Sequence, residues 1–452
     1  MSPCRVYIET YGCQMNEYDS SMIASMLTGA GYTLATGPEG ADVVIVNTCS
    51  VRERAEVRVL GRLRHLRGLA PPDAVIGAVG CVAQRMGEDL FASVRGLDFV
   101  VGTDRYALLP DVIERARSGN ATAELEVDPD ENYASRTTPS SAGLRDFVSV
   151  MRGCNNFCSY CIVPYVRGRE RSLPADLVIG EVRALVDLGM RDVTLLGQNV
   201  NSYDDNGLDF AGLLERIDCV GGLERIRFAT SHPKDLSPRL IRAVADLDKV
   251  CEHVHLPVQS GSNDVLGRMN RRYTREHYMD LIAMLRDAVP DAAITTDIIA
   301  GFPGEAHGQF EETLSLMREV RFDSAFMFRY SVREGTRAAE FDDDVPEHEK
   351  IRRLEEIIAL QQSITTEINT GLVGSSVEVL VEGPSQRDPS RLFGRTRTGK
   401  AVVLTRAGRS TDDLEPPPGR LAGAVVTEAS AWTLHARLRA GEKDLAGPSV
   451  GC

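Results

Sequence analysis

Short apolar runs alternate with amphipathic helical patterns over most of this chain, and that alternation limits its fold more than any other feature. In residues 4–118 the runs RVYIE, DVVIVN and AVIGAVG are short, rich in β-branched residues and closed by Thr, Asn or Gly. These are the marks of buried strands, and helical patterns such as SSMIASMLTGAG follow them. The alternation predicts an α/β fold, with an open parallel sheet in this N-terminal domain.

The same alternation returns in residues 144–371. Six strand candidates occur there, namely DFVSVMRG, DVTLLGQN, RIRFATS, HVHLPVQ, AITTDIIAGF and SAFMFRY. Six strand–helix steps without a break in the pattern predict a partial (βα)6 barrel of the TIM type rather than an open sheet. Residues 119–143 are polar, acidic and rich in Ser, Thr and Pro, so we expect a linker between the two domains.

The C-terminal part of the chain has a third pattern. A long helical stretch, EHEKIRRLEEIIALQQSITTEINTGLVG, closes the second domain, and short alternating strands with Gly-containing turns occupy residues 372–439. Such strands predict a small β-barrel, and residues 440–452 predict a disordered tail. A length of 452 residues agrees with several domains, because it exceeds what one hydrophobic core organises.

Composition excludes several classes of protein. The net charge of −14 argues against a uniformly basic nucleic-acid binder but leaves room for basic patches. No run reaches the roughly 18 apolar residues of a membrane span, and the first residues lack a signal-peptide pattern. We therefore expect a cytoplasmic protein without a membrane partner, whose ten cysteines are buried thiols or metal ligands rather than disulfides.

Three of these cysteines lie close together in sequence. Cys154, Cys158 and Cys161 form a C-x3-C-x2-C pattern directly after a predicted strand. Three thiolates at this spacing can hold three corners of a [4Fe–4S] cube and leave the fourth iron open to an amine and a carboxylate of a substrate. A zinc site needs a fourth protein ligand and usually shows paired C-x2-C units, so a zinc knuckle or a loose redox pair is the weaker interpretation.

This pattern resembles the cluster motif of the radical S-adenosylmethionine (SAM) superfamily. Further motifs of that superfamily follow in the expected order, GQN at the end of the second strand, VQSGS at the end of the fourth and DIIAGFPGE in the fifth. The resemblance implies that the cosubstrate contacts are Tyr160 and the pair Ile299 and Gly301 at the adenine, Gln259 and Ser260 near the ribose, and Gln198 and Asn199 at the methionine end.

A second trio, Cys13, Cys49 and Cys81, is spread along the N-terminal domain. Each of the three lies at the carboxyl end of a predicted strand and just before a helix. In a parallel sheet those ends gather at one edge, and helix N-termini there favour the thiolate. The residues SVRE after Cys49 form a capping-box pattern. We expect a second cluster site here; the alternative is three small buried hydrophobic residues.

The surroundings of the second trio resemble the amino-terminal domain of methylthiotransferases. The segments YGCQMNEYDS and NTCSVR match most closely the MiaB type, which modifies tRNA. The type that acts on a ribosomal-protein aspartate typically has Pro-Lys after its first cysteine, where this chain has Gln14 and Met15. The resemblance covers residues 4–439.

This resemblance implies a reaction with two [4Fe–4S] clusters and two molecules of S-adenosylmethionine. The auxiliary cluster at Cys13, Cys49 and Cys81 delivers sulfur, which one S-adenosylmethionine methylates. A second one is cleaved at the other cluster, and the resulting radical chemistry replaces hydrogen at C2 of N6-isopentenyladenosine next to the anticodon of tRNA. An electron donor of the flavodoxin or ferredoxin type and a monomeric enzyme are expected. Because this aromatic C–H offers no acidic proton, cofactors must supply the radical and the sulfur.

Basic residues indicate where an acidic protein could hold RNA. Residues 372–439 contain ten Lys and Arg against seven Asp and Glu, and they resemble the TRAM domain that ends this family. A small basic β-barrel suits RNA backbone and loop binding. The predicted RNA contacts are Arg167, Arg171, Arg395, Arg397 and Lys400; the alternative for each is an ordinary solvated charge.

Two other kinds of function, one enzymatic and one not, remain open at this level. The same clusters would serve methylthiolation of threonylcarbamoyl-adenosine in tRNA or of a ribosomal-protein aspartate. From a different class, a zinc-containing RNA-binding module without catalysis would explain one cysteine trio and the basic β domain. Beyond the six cluster ligands, the sequence predicts no particular catalytic residue.

Overall fold

The computed structural model describes residues 3–50, 53–131, 133, 142–405 and 416–439, and for residues 53–55 it describes the backbone alone. Residues 132 and 134–141 of the predicted linker, the predicted tail 440–452 and the capping-box residues Val51 and Arg52 lie outside these ranges. Of the helices within them, none combines the length and hydrophobicity that a membrane span requires.

The N-terminal domain is one parallel sheet of six strands, as the sequence predicts. Its central strands, Val43–Thr48 and Val75–Gly80, are buried along their whole length because helices cover both faces. The strands are β1 (Arg5–Thr10), β2 (Thr33–Leu34), β3 (Val43–Thr48), β4 (Val75–Gly80), β5 (Phe99–Val101) and β6 (Thr122–Glu124), in the order β2-β1-β3-β4-β5-β6. The helices are α1 (Gln14–Gly29), α2 (Glu53–Leu69), α3 (Cys81–Met86), α4 (Asp89–Ser93) and α5 (Leu109–Arg117).

One strand of this sheet lies in residues that the sequence assigns to a linker. Strand β6 pairs in parallel with β5, since Phe99, Val100 and Val101 align with Thr122, Ala123 and Glu124. The polar composition of this stretch is explained by its place at the edge of the sheet, where all three residues of β6 are only half-buried. The N-terminal sheet therefore extends past residue 118.

The central domain is the predicted partial barrel. Two parallel three-stranded sheets, β13-β10-β7 and β14-β15-β16, are joined by a bridge between Ile226 and Val250 and enclose one core that runs from Val148 to Ile357. The six barrel strands are β7 (Arg145–Ser149), β10 (Asp192–Leu196), β13 (Arg225–Phe228), β14 (His253–His255), β15 (Ala293–Ala300) and β16 (Ser324–Arg329). Four two-residue strands lie outside the barrel, namely β8 (Met151–Arg152), β9 (Arg171–Ser172), β11 (Asp204–Asp205) and β12 (Leu208–Asp209).

The helices of this domain pack mostly on the outside of the barrel, and the first of them contacts α3 of the N-terminal domain. They are α6 (Val163–Val166), α7 (Ala175–Asp187), α8 (Phe210–Asp218), α9 (Pro238–Asp246), α10 (Asn263–Arg268), α11 (Arg275–Ala288), α12 (His307–Val320) and α13 (Glu347–Gly371). The last of them is the long helix that the sequence predicts, and it packs against the final barrel strand, β16.

The C-terminal domain is a closed five-stranded barrel, which confirms the predicted small β domain. Its strands are β17 (Ser376–Pro384), β18 (Leu392–Thr396), β19 (Ala401–Thr405), β20 (Leu421–Ala429) and β21 (Leu434–Leu438), in the order β17-β18-β19-β21-β20. Alternate residues point inward, as the burial of Val402, Leu404, Leu434 and Ala436 shows. The fold class of all three domains is therefore as the sequence predicts.

Candidate metal centres and active site

The first cysteine trio occupies one compact loop after β8. Cys154 and Cys158 are buried and Cys161 is half-buried. The loop folds back on itself, because the Cys161 amide donates to the Cys158 carbonyl at 2.9 Å and the Cys154 amide donates to the Gly168 carbonyl at 3.1 Å. The three thiols are close enough to influence one another electrostatically. The donor set therefore fits a group that is bound at three corners by sulfur.

The residue before this loop must be a glycine. Gly153 has a φ of +78°, and a Cβ at this position would lie 1.9 Å from the Arg169 carbonyl oxygen. The close approach lets the chain turn from β8 into the cysteine loop while residues 168–169 close over it.

Burial keeps the Cys154 and Cys161 thiols protonated in the absence of a metal. It raises the pKa of Cys154 to about 11 and that of Cys161 to about 12, and the neighbouring thiols add to the effect. A metal inverts this preference, because a coordinating thiol is deprotonated outright. One donor to the trio is already in place, since Nη1 of the buried Arg271 donates to Cys158 Sγ at 3.4 Å.

The second trio assembles as the sheet topology predicts. Cys13 is the N-cap of α1, Cys49 follows β3, and Cys81 is the first residue of α3. The Cys13 and Cys49 thiols are hydrogen-bonded to each other, and Cys81 lies near enough to affect Cys13 electrostatically. The turn at Gly12 (φ +131°) lies directly against Cys49, because a Cβ on Gly12 would be 2.2 Å from the Cys49 Cβ.

Three polar side chains that the sequence analysis did not single out hold this trio together. The Asn16 amide donates to the Tyr11 carbonyl at 3.0 Å and to Asn47 Oδ1 at 3.2 Å. The Thr48 hydroxyl donates to the Val79 carbonyl at 2.6 Å and accepts from two amides at the start of α3. The loops that carry the three cysteines are thereby fixed to one another. The sequence could have identified Asn16, Asn47 and Thr48, because each lies close to one of the cysteines at the end of a strand or the start of a helix.

The Cys13 and Cys81 thiols of this trio differ in acidity. The pKa of Cys13 is lowered to about 6, first by the hydrogen bond with Cys49 and then by the charge of Arg167. Burial raises the pKa of Cys81 although Arg167 acts against it. The expectation that helix N-termini favour the thiolate agrees in direction with Cys13, where the backbone amide of Asn16 also lowers the pKa, but not with Cys81, where desolvation outweighs Arg167.

The two trios meet at the junction of the N-terminal domain and the barrel. Cys81 packs against Ile162 and Val166, and Ile162 is the neighbour of Cys161. Two cavities adjoin this contact. One of about 380 Å³ is lined by Tyr160, Cys161, Gln259 and Ile299 among others, and one of about 280 Å³ is lined by Ser50, Glu56, Arg85 and Glu334 among others. Both cavities share Ile162 and Arg333 in their walls.

The residues predicted to contact S-adenosylmethionine fall into two groups. Tyr160, Gln259 and Ile299 line the larger cavity beside Cys161, as a cosubstrate site requires. The other four form hydrogen bonds within the protein. Gln198 accepts from the Gly153 amide, and Asn199 donates to Asp235. The Ser260 hydroxyl is hydrogen-bonded to the Thr313 hydroxyl, and the Gly301 amide donates to Glu305. Their contacts with a cosubstrate remain predictions.

The structure corrects the predicted role of two arginines. Arg167 is 3% exposed, and its Nη2 donates to Asp19 Oδ2 at 2.8 Å. Arg171 is paired with the buried Asp104 at 2.9 Å. Both side chains reach from the central domain into the N-terminal domain, so they are engaged at a buried junction and do not present a surface to RNA.

The three predicted RNA contacts in the C-terminal barrel are likewise engaged at a domain junction. Arg397 pairs with Glu252 at 2.7 Å, and Lys400 pairs with Asp323 at 2.7 Å, both across to the central barrel. Arg395 pairs with Glu382 at 3.1 Å within its own domain, and its backbone carbonyl accepts from the buried Arg225. Arg397 and Lys400 thus dock the C-terminal barrel on the central domain, whereas the Arg395 side chain pairs within its own barrel and only its backbone carbonyl takes part in the docking.

Family models match three parts of the chain. The uncharacterized protein family UPF0004 matches residues 5–102, the radical SAM superfamily matches residues 148–317, and the TRAM domain matches residues 372–438. These matches correspond to the open sheet, the partial barrel and the closed β-barrel.

Solved structures resemble the fold. The radical S-adenosylmethionine methyltransferase TsrM from Kitasatospora setae matches with a TM-score of 0.56 and 13% identity over 72% of each chain. The cobalamin-dependent S-adenosylmethionine radical enzyme OxsB matches with a TM-score of 0.52 and 13% identity, over 78% of this chain and 56% of that one. At this identity the likeness concerns the fold alone.

Curated relatives match over nearly the whole length. A protein of Pelodictyon phaeoclathratiforme (strain DSM 5477 / BU-1) is 47% identical over 436 residues, 95% of this chain and 98% of that protein. A protein of Moorella thermoacetica (strain ATCC 39073 / JCM 9320) is 47% identical over 440 residues, 95% and 97% respectively. Both are named tRNA-2-methylthio-N(6)-dimethylallyladenosine synthase. This chain therefore belongs to the family of MiaB-type radical SAM methylthiotransferases.

Proposed function

We propose that this chain replaces the C2 hydrogen of N6-isopentenyladenosine, next to the anticodon of tRNA, by a methylthio group. The observation that carries the proposal is the meeting of two cysteine trios at one domain junction, where Cys81 packs against the neighbour of Cys161. The names of the relatives support this nucleoside as the substrate.

The cofactors of this family are [4Fe–4S] clusters and S-adenosylmethionine, and the residues fit them. Cys154, Cys158 and Cys161 would hold one cluster, and the other trio would hold the second. When bound, these groups supply the one-electron cleavage of S-adenosylmethionine and the sulfur that is transferred.

The chain itself provides a shaped and largely apolar space for the reacting atoms. Ile299, Phe328 and Tyr330 line the cavity beside Cys161, and such walls shield a radical from water. Polar groups in the same walls, Gln259 and Asp297, are available to orient a nucleobase and a cosubstrate. Because the second cavity shares Ile162 and Arg333 with the first, a base held in the first would lie close to the auxiliary trio.

A tRNA surface is supported by exposed residues of the C-terminal barrel. Arg420, Arg437 and Arg439 are exposed there, and Trp432 is 73% exposed in the turn between β20 and β21. Exposed cations bind phosphates, and an exposed indole can stack on an unpaired base. This surface replaces Arg395, Arg397 and Lys400 as the proposed RNA contact of this domain.

Three finer statements complete the proposal. The enzyme acts as a monomer, because one chain supplies all six cysteines and the cavities between them. It receives electrons from a one-electron donor of the flavodoxin or ferredoxin type, which reductive cleavage requires. It works in the cytoplasm, where a tRNA-modifying enzyme meets its substrate.

The test is an anaerobic assay of the reconstituted chain with tRNA from a strain that lacks the modification. Nucleoside mass spectrometry should show 2-methylthio-N6-isopentenyladenosine and a matching loss of N6-isopentenyladenosine. Methylthiolation of threonylcarbamoyl-adenosine or of a ribosomal-protein aspartate instead would overturn the assigned substrate. A colourless protein with one zinc and no iron would overturn the enzymatic function itself.

A further inference from the structure

One arginine of the central domain enters the auxiliary cysteine site. Arg167 follows α6, yet its side chain ends among residues of the N-terminal domain. Its Nε donates to Cys81 Sγ at 3.3 Å, and its Nη2 donates to Asn16 Oδ1 at 3.0 Å and to Asp19 Oδ2 at 2.8 Å. A side chain from the barrel thus completes a site whose cysteines all belong to the other domain.

The charge around Arg167 is unbalanced. Arg152 also reaches Asp19, with Nη2 3.0 Å from Asp19 Oδ1, and both arginines and the aspartate are almost fully buried. Two guanidinium groups therefore share one carboxylate. In addition, Nη1 of Arg167 is buried without a hydrogen-bond partner among the described residues. Buried positive charge and unpaired donors cost free energy unless an anion accompanies them.

The auxiliary trio faces this excess charge. Arg167 lies near enough to Cys13 and Cys81 to interact electrostatically with both. Three thiolates around a [4Fe–4S] core carry a net negative charge, so a cluster there would provide the missing counter-charge. N–H···S hydrogen bonds and nearby cations also favour the reduced, more negative state of a cluster and so raise its reduction potential.

We propose that Arg167 is a positioning residue for the auxiliary cluster, and that its hydrogen bond to Cys81 and its buried charge retain the cluster and raise its reduction potential. This inference rests on the proposed function, because it assumes a cluster at the second trio. Since Arg167 comes from the barrel, the auxiliary site is complete only when the two domains are docked.

A purely structural role for Arg167 has a matched control in this chain. Arg171 crosses the same junction and pairs with Asp104, which is 2% exposed, at 2.9 Å. Within the described part of the chain, its hydrogen bonds go to Asp104 and to the backbone carbonyls of Asp128 and Arg167, and none goes to a cysteine sulfur. Loss of either arginine weakens the junction, but only loss of Arg167 should change the cluster.

The experiment uses the full-length chain with Cys154, Cys158 and Cys161 replaced by Ala, so that only the auxiliary cluster forms. Redox titration followed by electron paramagnetic resonance gives its midpoint potential, and iron and sulfide analysis gives its occupancy. Arg167→Gln should shift the potential to more negative values and lower the occupancy, whereas Arg167→Lys should restore most of the potential. Arg171→Gln should lower the thermal midpoint and leave the potential unchanged.

A further variant keeps the test decisive if Arg167→Gln folds poorly. Asp19→Asn removes the counter-charge of Arg167 and should shift the potential to more positive values, opposite to Arg167→Gln; a merely structural role would move both variants in the same direction. An unchanged potential in Arg167→Gln, or an unchanged one in Asp19→Asn, would overturn the inference. Absence of any cluster in the parent protein would overturn the proposed function as well.

Discussion

Each cysteine trio receives one hydrogen bond from a buried arginine of the central domain. Arg167 donates to Cys81 Sγ at 3.3 Å, and Arg271 donates to Cys158 Sγ at 3.4 Å. Arg271 is held in turn by the Pro257 carbonyl and the Tyr273 hydroxyl. The sulfur ligands are thus embedded in charged, hydrogen-bonded surroundings, which set ligand orientation and redox properties.

The two trios should be separable by substitution. Cys158→Ala removes a ligand of the radical site, so 5′-deoxyadenosine formation from S-adenosylmethionine should fall to background. Cys49→Ala removes a ligand of the auxiliary site, so cleavage should persist in part while methylthiolation stops. Both products can be measured by liquid chromatography and mass spectrometry of one reaction. Persistent 5′-deoxyadenosine in Cys158→Ala, or persistent methylthiolation in Cys49→Ala, would contradict the assignment.

Gly153 offers a test of the turn that precedes the first trio. Gly153→Ala places a methyl group against the Arg169 carbonyl at a φ of +78°, and we expect a loss of about 1–3 kcal/mol of stability, together with lower iron content. Thermal unfolding and iron analysis measure the two effects. Gly180→Ala is the matched control, because Gly180 lies on the exposed face of helix α7, where an added Cβ would meet nothing within 4 Å; it should gain up to about 1 kcal/mol. Equal stability of the two variants would argue against strain at Gly153.

At the scale of elements, the structure places several motif residues outside the strands that the sequence assigns to them. Strands β10, β13 and β14 end at Leu196, Phe228 and His255, so GQN, ATS and LPVQ lie in loops. Apolar pattern and β-propensity continue into these segments, but their strand contacts are isolated ones, such as the bridge between Gln259 and Ile298, and the side chains of Gln198 and Asn199 bond neighbouring loops. Residues at the carboxyl ends of barrel strands thus combine a strand-like sequence pattern with a loop conformation, because ligands bind at these ends.

The docking of the C-terminal barrel leads to a prediction about salt dependence. Arg397 donates to Glu252, to the Asp248 carbonyl and to the Val250 carbonyl, whereas Arg437 is exposed on β21. Arg397→Gln should lower the thermal midpoint and leave the slope of log Kd for tRNA against log salt unchanged. Arg437→Gln should reduce that slope by about 1, as one lost phosphate contact does. Filter binding over a salt series measures both slopes, and the reverse result would restore Arg397 as an RNA contact.

At the scale of the whole molecule, the buried His232 and the half-buried His253 make stability depend on pH. Burial lowers the pKa of His232 to about 2 and that of His253 to about 3, and nearby arginines act in the same direction. In the unfolded chain these groups take up protons near pH 6.5. The stability that the neutral side chains contribute is therefore complete above about pH 6.5 and is lost as the pH falls toward the folded values.

The size of this effect can be checked with one variant. At pH 5.5 each such histidine should cost about 1.4 kcal/mol relative to neutral pH. The thermal midpoint should therefore fall between pH 7.5 and pH 5.5, and it should fall less in His232→Gln. The exposed His277→Gln is the control and should fall as much as the parent. An equal fall in His232→Gln would show that this histidine is not the cause.

The sequence by itself determined the three-domain architecture, the long helix α13 and the two cysteine trios. Strand–helix alternation and local cysteine spacing are properties of neighbouring residues, and the position of Cys13, Cys49 and Cys81 at strand ends follows from the rule that parallel strands share one edge. Only the tertiary structure decided what the arginines do. The partners of Arg167 and Arg397, Asp19 and Glu252, are 148 and 145 residues away in the chain. A cation in a sequence has the same appearance whether it meets a phosphate or a carboxylate, because the difference depends on which distant residue folding brings against it.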